Sequence, residues 1–322
     1  MDGERIIFVG GSPRSGTTLL QNILDSHPLI CGGPEFNIIP DIIVLRKKFY
    51  NSIKSGSIDV FCSYDDVDRA ICLFIENLIL PLAIKNNCKM ISEKTPWNVL
   101  VFNELLKICP KAKFIHIVRD PRAIVSSLLE VGKRAKKKGK DISSITKNTL
   151  GAINCIRDCL SSGFSAEKRF PNRVLSITYE SLVQNPECTT KKICEFLEVG
   201  WSSEMIYPSN KKHFGEKEID DIWINMKVYY SNPDISKINK WKDKLSNIQK
   251  AQVNEAFRSN TNLKQLGYFF NEEKDLKIYK IIRIITLKLS FGVRKLFYKL
   301  VKLVRKSHVI VKICRIILEG KE

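Results

Sequence analysis

Eight residues near the start of the chain, Gly11-Ser12-Pro13-Arg14-Ser15-Gly16-Thr17-Thr18, have the composition of an anion grip. Gly11 and Gly16 bracket four residues, with the apolar run Ile6-Ile7-Phe8-Val9 before them and Leu19-Leu20 after. A strand, a glycine-bearing loop and a helix start, in that order, bring backbone N–H groups and a helix N-terminus onto one phosphate-like group. In loops of this spacing that hold nucleoside triphosphates, a lysine follows the second glycine. Here that place is Thr17, and the cation is Arg14, three residues earlier. The rearrangement suits a doubly substituted anion that needs no magnesium, and points to an activated sulfate donor in preference to ATP. The amides of Ser15, Gly16, Thr17 and Thr18 would hold such a group, and Arg14 offers it a planar fork.

Other residues are chemically suggestive only in context. Lys94 ends the run Met90-Ile91-Ser92-Glu93. Strand C-termini in parallel sheets face the ligand crevice, where a cation can neutralise a leaving oxygen. Taken alone, Lys94 reads better as a surface partner of Glu93, and only the order of the motifs turns it toward the crevice. Arg119 follows the apolar run 114–118, and Ser127 lies two helical turns further on. Candidates for a general base are Glu35 and the four histidines. His116 lies inside an apolar strand, His27 precedes a proline, and His213 and His308 fall outside the strands. Glu35 in Gly33-Pro34-Glu35 reads alone as a helix-starting acid; partial burial would make it a base.

Several blocks together resemble one family. Gly11–Thr18 is similar to the 5′-phosphosulfate loop of sulfotransferases that use 3′-phosphoadenosine 5′-phosphosulfate (PAPS). With Leu24-Asp25-Ser26-His27-Pro28, Gly33-Pro34-Glu35, Glu93-Lys94-Thr95-Pro96, Val118-Arg119-Asp120-Pro121-Arg122 and Lys240-Trp241, the chain looks most like the tyrosylprotein sulfotransferases. The resemblance implies PAPS as co-substrate, no metal, and catalytic roles for Glu35, Arg14 and Lys94. It implies donor contacts from Arg14, Ser15, Gly16, Thr17, Thr18, Arg119, Ser127, Tyr179 and Lys240, with Arg119 and Ser127 on the 3′-phosphate. The implied acceptor is a protein tyrosine in an acidic context. A glycan or small-molecule hydroxyl stays open, because Phe36-Asn37 stand where the family has Thr-Arg. A core tyrosine and a solvated lysine stay open for Tyr179 and Lys240. The rivals are a P-loop nucleotide kinase and a non-catalytic module for membrane surfaces.

The elements that must position these residues read as an α/β fold. Apolar runs at 6–9, 89–91, 114–118 and 174–177 alternate with helical stretches at 17–26, 65–84, 98–108, 122–130, 142–160 and 188–197. That alternation predicts a P-loop-type parallel sheet flanked by helices, the sulfotransferase fold. The stretch 199–245 is rich in Ser, Asn, Asp, Pro and Trp and reads as a lid.

The formal charge of +19 is unevenly placed. Residues 274–318 carry thirteen Lys and Arg against Asp275, leaving an ordinary excess elsewhere, so nucleic acid is not an expected partner. Leu296, Leu300 and Leu303 beside Lys295, Lys299, Lys302 and Lys306 predict a basic amphipathic helix. We therefore expect a sulfotransferase domain over 1–272 and a helical tail over 273–322. The tail could meet an anionic membrane, its own domain or a second copy in a homodimer. The first strand begins near Arg5, no apolar run spans a membrane, and the ten cysteines are scattered. These features lead to an expectation of a cytoplasmic protein with reduced thiols, at most peripheral to a membrane.

Overall fold

A computed structural model of the chain describes residues 2–211, 213, 222–223 and 231–270. The predicted tail, with His308, lies outside the described residues. Five strands form one parallel sheet in the order β2-β3-β1-β4-β5. They are β1 (Ile6–Gly11), β2 (Ile30–Gly32), β3 (Met90–Lys94), β4 (Lys113–Val118) and β5 (Val174–Thr178). β1 is buried along its whole length, as a central parallel strand covered on both faces must be. Its register sets Val9 beside Lys94 and Gly11 beside Ile117, so the chemistry-bearing residues leave the sheet at one edge.

Helices cover both faces. α1 (Thr17–Asp25) follows the first loop; α2 (Ile39–Lys54) and α3 (Tyr64–Lys85) pack beyond β3. α3 opens with a capping box in which Ser63 and Asp66 satisfy each other's backbone donors. α4 (Phe102–Ile108) follows a 3-10 turn over Pro96–Val101. α5 (Pro121–Lys137) starts with proline in its first turn and with Asp120 capping the Arg122 N–H. α6 (Ser144–Lys147), α7 (Thr149–Arg169), α8 (Tyr179–Gln184) and α9 (Pro186–Leu197) complete the flanks. Two layers of apolar side chains result: Phe8, Phe102 and Phe114 on one face of β1, and Val9, Leu20 and Ile177 on the other.

Three expectations change. A fifth strand, β2, lies beside β3 and carries the chain toward Glu35. The helix expected over 142–160 is two helices, because Asn148 is extended and its side chain caps Gly151 N–H to start α7 afresh. A helix, α2, fills a stretch for which none was predicted. Among the described residues no helix is long and apolar enough to cross a membrane. The nine cysteines among the described residues are free thiols, most of them buried.

Candidate active site

The first loop turns sharply to bring its amides to the C-terminal edge of the sheet. Arg14 and Gly16 both adopt positive φ, 73° and 106°. Gly16 is obligatory for a second reason: a Cβ there would stand 2.4 Å from Cδ2 of Tyr179. The loop backbone is thus pressed against the first residue after β5. Thr17 and Thr18 begin α1 and, with Arg14 and Gly16, line a cavity of about 540 Å³. Ser15 is fully buried beneath the loop, and its Oγ has no hydrogen-bond partner.

Arg119 leaves the end of β4 and enters the same cavity. Its guanidinium stacks on the Tyr179 ring at 4.0 Å, donates to the Arg14 carbonyl at 3.2 Å and donates to the Lys237 carbonyl at 3.0 Å. Arg14 donates through Nε to Ser127 Oγ at 3.0 Å and through Nη1 to the Trp223 carbonyl at 2.7 Å. Among the described residues neither arginine has a carboxylate partner. Burial, then the charges of Arg134 and Arg119, hold the Arg14 guanidinium down at about 10, still protonated at neutral pH. Arg119 Nε is buried without a partner. Two crowded guanidiniums answered only by neutral oxygens form a site that gains when an anion arrives, so these residues fit a multiply charged donor.

The other end of the cavity lies over β2 and β3. Glu35 lines it, and its Oε1 accepts a 2.5 Å bond from Lys94 Nζ. The Lys94 side chain is 1% exposed and Glu35 21%, so the carboxylate stands between the cavity and the ammonium. Behind them sits a carboxylate for which the sequence offered only a surface pairing with Lys94. Glu93 is buried and accepts from Phe36 N–H at 3.2 Å, from Thr95 Oγ1 at 2.7 Å and from the Asn98 side-chain amide. Burial pushes its carboxyl up to about 7 despite those donors. Glu93 is therefore turned away from Lys94 and ties the residue after Glu35 to the turn after β3. The signal available was Glu93's position directly after Met90-Ile91-Ser92 in an expected parallel-sheet strand, which is buried along its whole length and where a charge needs partners.

Of the sequence-predicted residues, Arg14, Gly16, Thr17, Thr18, Glu35, Arg119 and Tyr179 line one cavity. Ser127 reaches it only through Arg14, and Lys94 only through Glu35. Lys240 is exposed; Lys237, three residues earlier, lines the wall with Asp234. Arg122 pairs with Asp120 and stacks on Trp241, a structural clamp. His116 is a core residue: fully buried, pushed down to about 3 by desolvation, and packed over Gly163. His27 bonds the Gly200 carbonyl, while His213 joins the Asp25 carboxylate and the Pro208 carbonyl. Trp97, Asn37 and Ile145 add uncharged walls near Glu35 that no motif announced.

Comparison with known proteins identifies the family and the fold. The profile of the sulfotransferase family matches residues 6–203. Protein-tyrosine sulfotransferase 1 of Danio rerio is 31% identical over 208 residues, covering 63% of this chain and 55% of that protein. The chain spans about half the length of the curated relatives it matches. Among solved structures, the sulfotransferase domain from the curacin biosynthetic pathway superposes with a TM-score of 0.56 at 18% identity, over 84% of this chain and 99% of that one. The sulfotransferase domain of the Synechococcus PCC 7002 olefin synthase gives 0.54 at 19%, over 80% and 95%. These likenesses concern the fold. By the extent of the family match, the chain belongs to the sulfotransferase family.

Proposed function

We propose that this member of the sulfotransferase family moves a sulfuryl group from PAPS to an acceptor hydroxyl. The observation that carries the reading is that Arg14 and Arg119 share one cavity with Glu35. Arg119 at the end of β4 would take the 3′-phosphate, and the loop amides with Arg14 the 5′-phosphosulfate. The acceptor would approach over β2 and β3. Its oxygen attacks sulfur in line while its proton passes to a Glu35 carboxylate oxygen. The bond from sulfur to the bridging oxygen breaks, and adenosine 3′,5′-bisphosphate (PAP) leaves with that electron pair. Lys94 would stabilise the leaving oxygen once Glu35 gives up its hold on the ammonium. Ser127 would act by orienting Arg14, and Tyr179 by stacking on Arg119.

A protein tyrosine in an acidic context is the first acceptor to test, on the strength of the relatives alone. The uncharged walls formed by Trp97, Asn37 and Ile145 favour a second reading, a glycan or small-molecule hydroxyl. We take residues 1–272 as the catalytic domain and 273–322 as an appended basic segment. The free thiols are the support for a cytoplasmic setting. The deciding experiment incubates the protein with labelled PAPS and a panel of tyrosine peptides and glycans, with and without EDTA. Transfer that survives EDTA supports the reading. Magnesium-dependent turnover of ATP, with no affinity for PAP, overturns it in favour of a kinase.

A further inference from the structure

We propose that Gln21 is a positioning residue for the transfer: its buried amide fixes the exit of β2, and so the place of Glu35. The inference rests on the reading of Glu35 as the base. β2 is a three-residue edge strand, paired with β3 through Ile30↔Met90, Cys31↔Ile91 and Gly32↔Ser92. Its last residue is followed by Gly33-Pro34-Glu35. A strand so short, leaving through two glycines, has little direction of its own. The direction comes from α1. Gln21 is 3% exposed, and its Nε2 donates to the Ser92 carbonyl at 2.9 Å and to the Gly33 carbonyl at 3.3 Å. Its Oε1 accepts from Ser92 Oγ at 2.9 Å. Both amide hydrogens and the amide oxygen are thereby used. The approach is close: a Cβ on Gly32 would stand 2.3 Å from Gln21 Nε2. One turn further along α1, Asp25 Oδ1 accepts from the Gly32 N–H at 2.7 Å.

Three parts of the site meet at this amide. α1 begins with Thr17 and Thr18 at the cavity, and Gln21 follows Thr17 on the same helix face one turn later. Ser92 precedes Lys94 by two residues, so both side chains leave β3 on one face. Gly33 lies two residues before Glu35. A single side chain therefore holds the helix of the donor loop, the strand of Lys94 and the segment of Glu35 to one another. The Lys94–Glu35 pair depends on that register. The residue type matters as much as its size. Methionine would fill the same space but offers no N–H to either carbonyl, and glutamate would set a carboxylate oxygen against both.

A double-mutant cycle tests this. Gln21→Met should slow single-turnover transfer from labelled PAPS about tenfold or more, with the peptide or glycan that the panel selects as acceptor. PAP affinity should stay within about twofold of the parent. In a Glu35→Gln background the same change should cost less than about twofold, because an amide that acts through Glu35 has nothing left to place. Hydrogen exchange in the free protein should quicken at the amides of Gly32, Gly33, Glu35 and Phe36 and stay unchanged in β1 and β4. An equal loss in both backgrounds would show a merely structural role and overturn the proposal. Parent-like transfer by Gln21→Met overturns it too, as does a loss of PAP affinity in step with transfer. If Gln21→Met fails to fold, Ser92→Ala takes its place: it removes the donor to Gln21 Oε1, and its smaller loss must also vanish beside Glu35→Gln. A Glu35→Gln variant that transfers like the parent overturns the base reading and this inference together. Slow transfer by Glu35→Gln beside parent-like transfer by Gln21→Met overturns this inference alone.

Discussion

Lys94 and Glu35 hold each other: the ammonium of one is buried behind the carboxylate of the other at 2.5 Å. The residue proposed to receive the acceptor's proton thereby covers the residue proposed to stabilise the leaving group. Glu35 cannot serve as base at full strength while neutralised by Lys94, and Lys94 cannot reach a leaving oxygen while held by Glu35. In the proposed reaction, donor binding would resolve both conditions in one exchange of partners.

Glu35→Gln tests that arrangement. An amide cannot take the acceptor's proton, so turnover should fall roughly a hundredfold or more. PAP affinity should stay near the parent value or rise, since Lys94 loses its carboxylate. Single-turnover transfer and calorimetric titration with PAP separate the two effects. Parent-like turnover would remove Glu35 from the base role.

Arg119→Ala should weaken binding of PAP far more than binding of an analogue lacking the 3′-phosphate. A charged hydrogen-bonded contact of this kind contributes about 1.5–3 kcal/mol, so a tenfold or greater loss is expected. The Tyr179 ring also loses its stacked cation, which fluorescence of the free protein would report. Equal losses for both ligands would place the 3′-phosphate elsewhere.

Glu93 predicts a pH dependence with a definite sign. Its carboxyl titrates near 7 in the folded chain against an ordinary value of 4.5. The native state therefore binds more protons between those values, and this group's contribution to stability falls as pH rises from 4.5 to 7. Thermal melts of the parent and of Glu93→Gln should diverge across that window and run parallel above it. Because Glu93 also anchors the Phe36 amide, Glu93→Ala should lower turnover at least tenfold with PAP affinity changed less than threefold. A stability gap independent of pH would show that Glu93 ionises like an exposed acid.

Gly16→Ala should abolish donor binding. The loop needs φ of 106° there, and the new methyl would strike Tyr179. Strain of about 1–3 kcal/mol is expected from the backbone alone. A Gly16→Ala,Tyr179→Ala double variant relieves the collision only, so stability should recover in part while PAP binding stays lost. Normal PAP affinity in Gly16→Ala would show that the loop does not grip the donor.

The sheet was legible because its central strands are covered on both faces, so β1 is an uninterrupted apolar run and β4 is apolar but for Lys113 and His116. β2 escaped notice because three residues, Ile30-Cys31-Gly32, are too few to show a period. α2 escaped because its inner face includes Arg46, a charge made compatible with burial by its pairing with Asp68 and its contact with Tyr50. At the site, residue types and their order along the chain located the anion-binding end well. They could not show that Glu35 and Lys94 pair, since that depends on β2 lying beside β3. They also favoured Lys240 where the wall is built by Lys237, because Lys237 lines the cavity while Asn239 and Lys240 are exposed.

The strand order has a consequence for how the molecule is made. β1 is made before the other four strands yet occupies the middle of the sheet, and its neighbours are encoded more than eighty and more than a hundred residues later. Until they emerge, the nascent Ile6–Gly11 segment has nothing to pair with and needs shielding from other chains. The anion grip, though written in the first eighteen residues, takes its working shape only when Tyr179 arrives to lie against Gly16. The loop is therefore unfinished until Tyr179 has emerged, so products truncated before that residue should be silent.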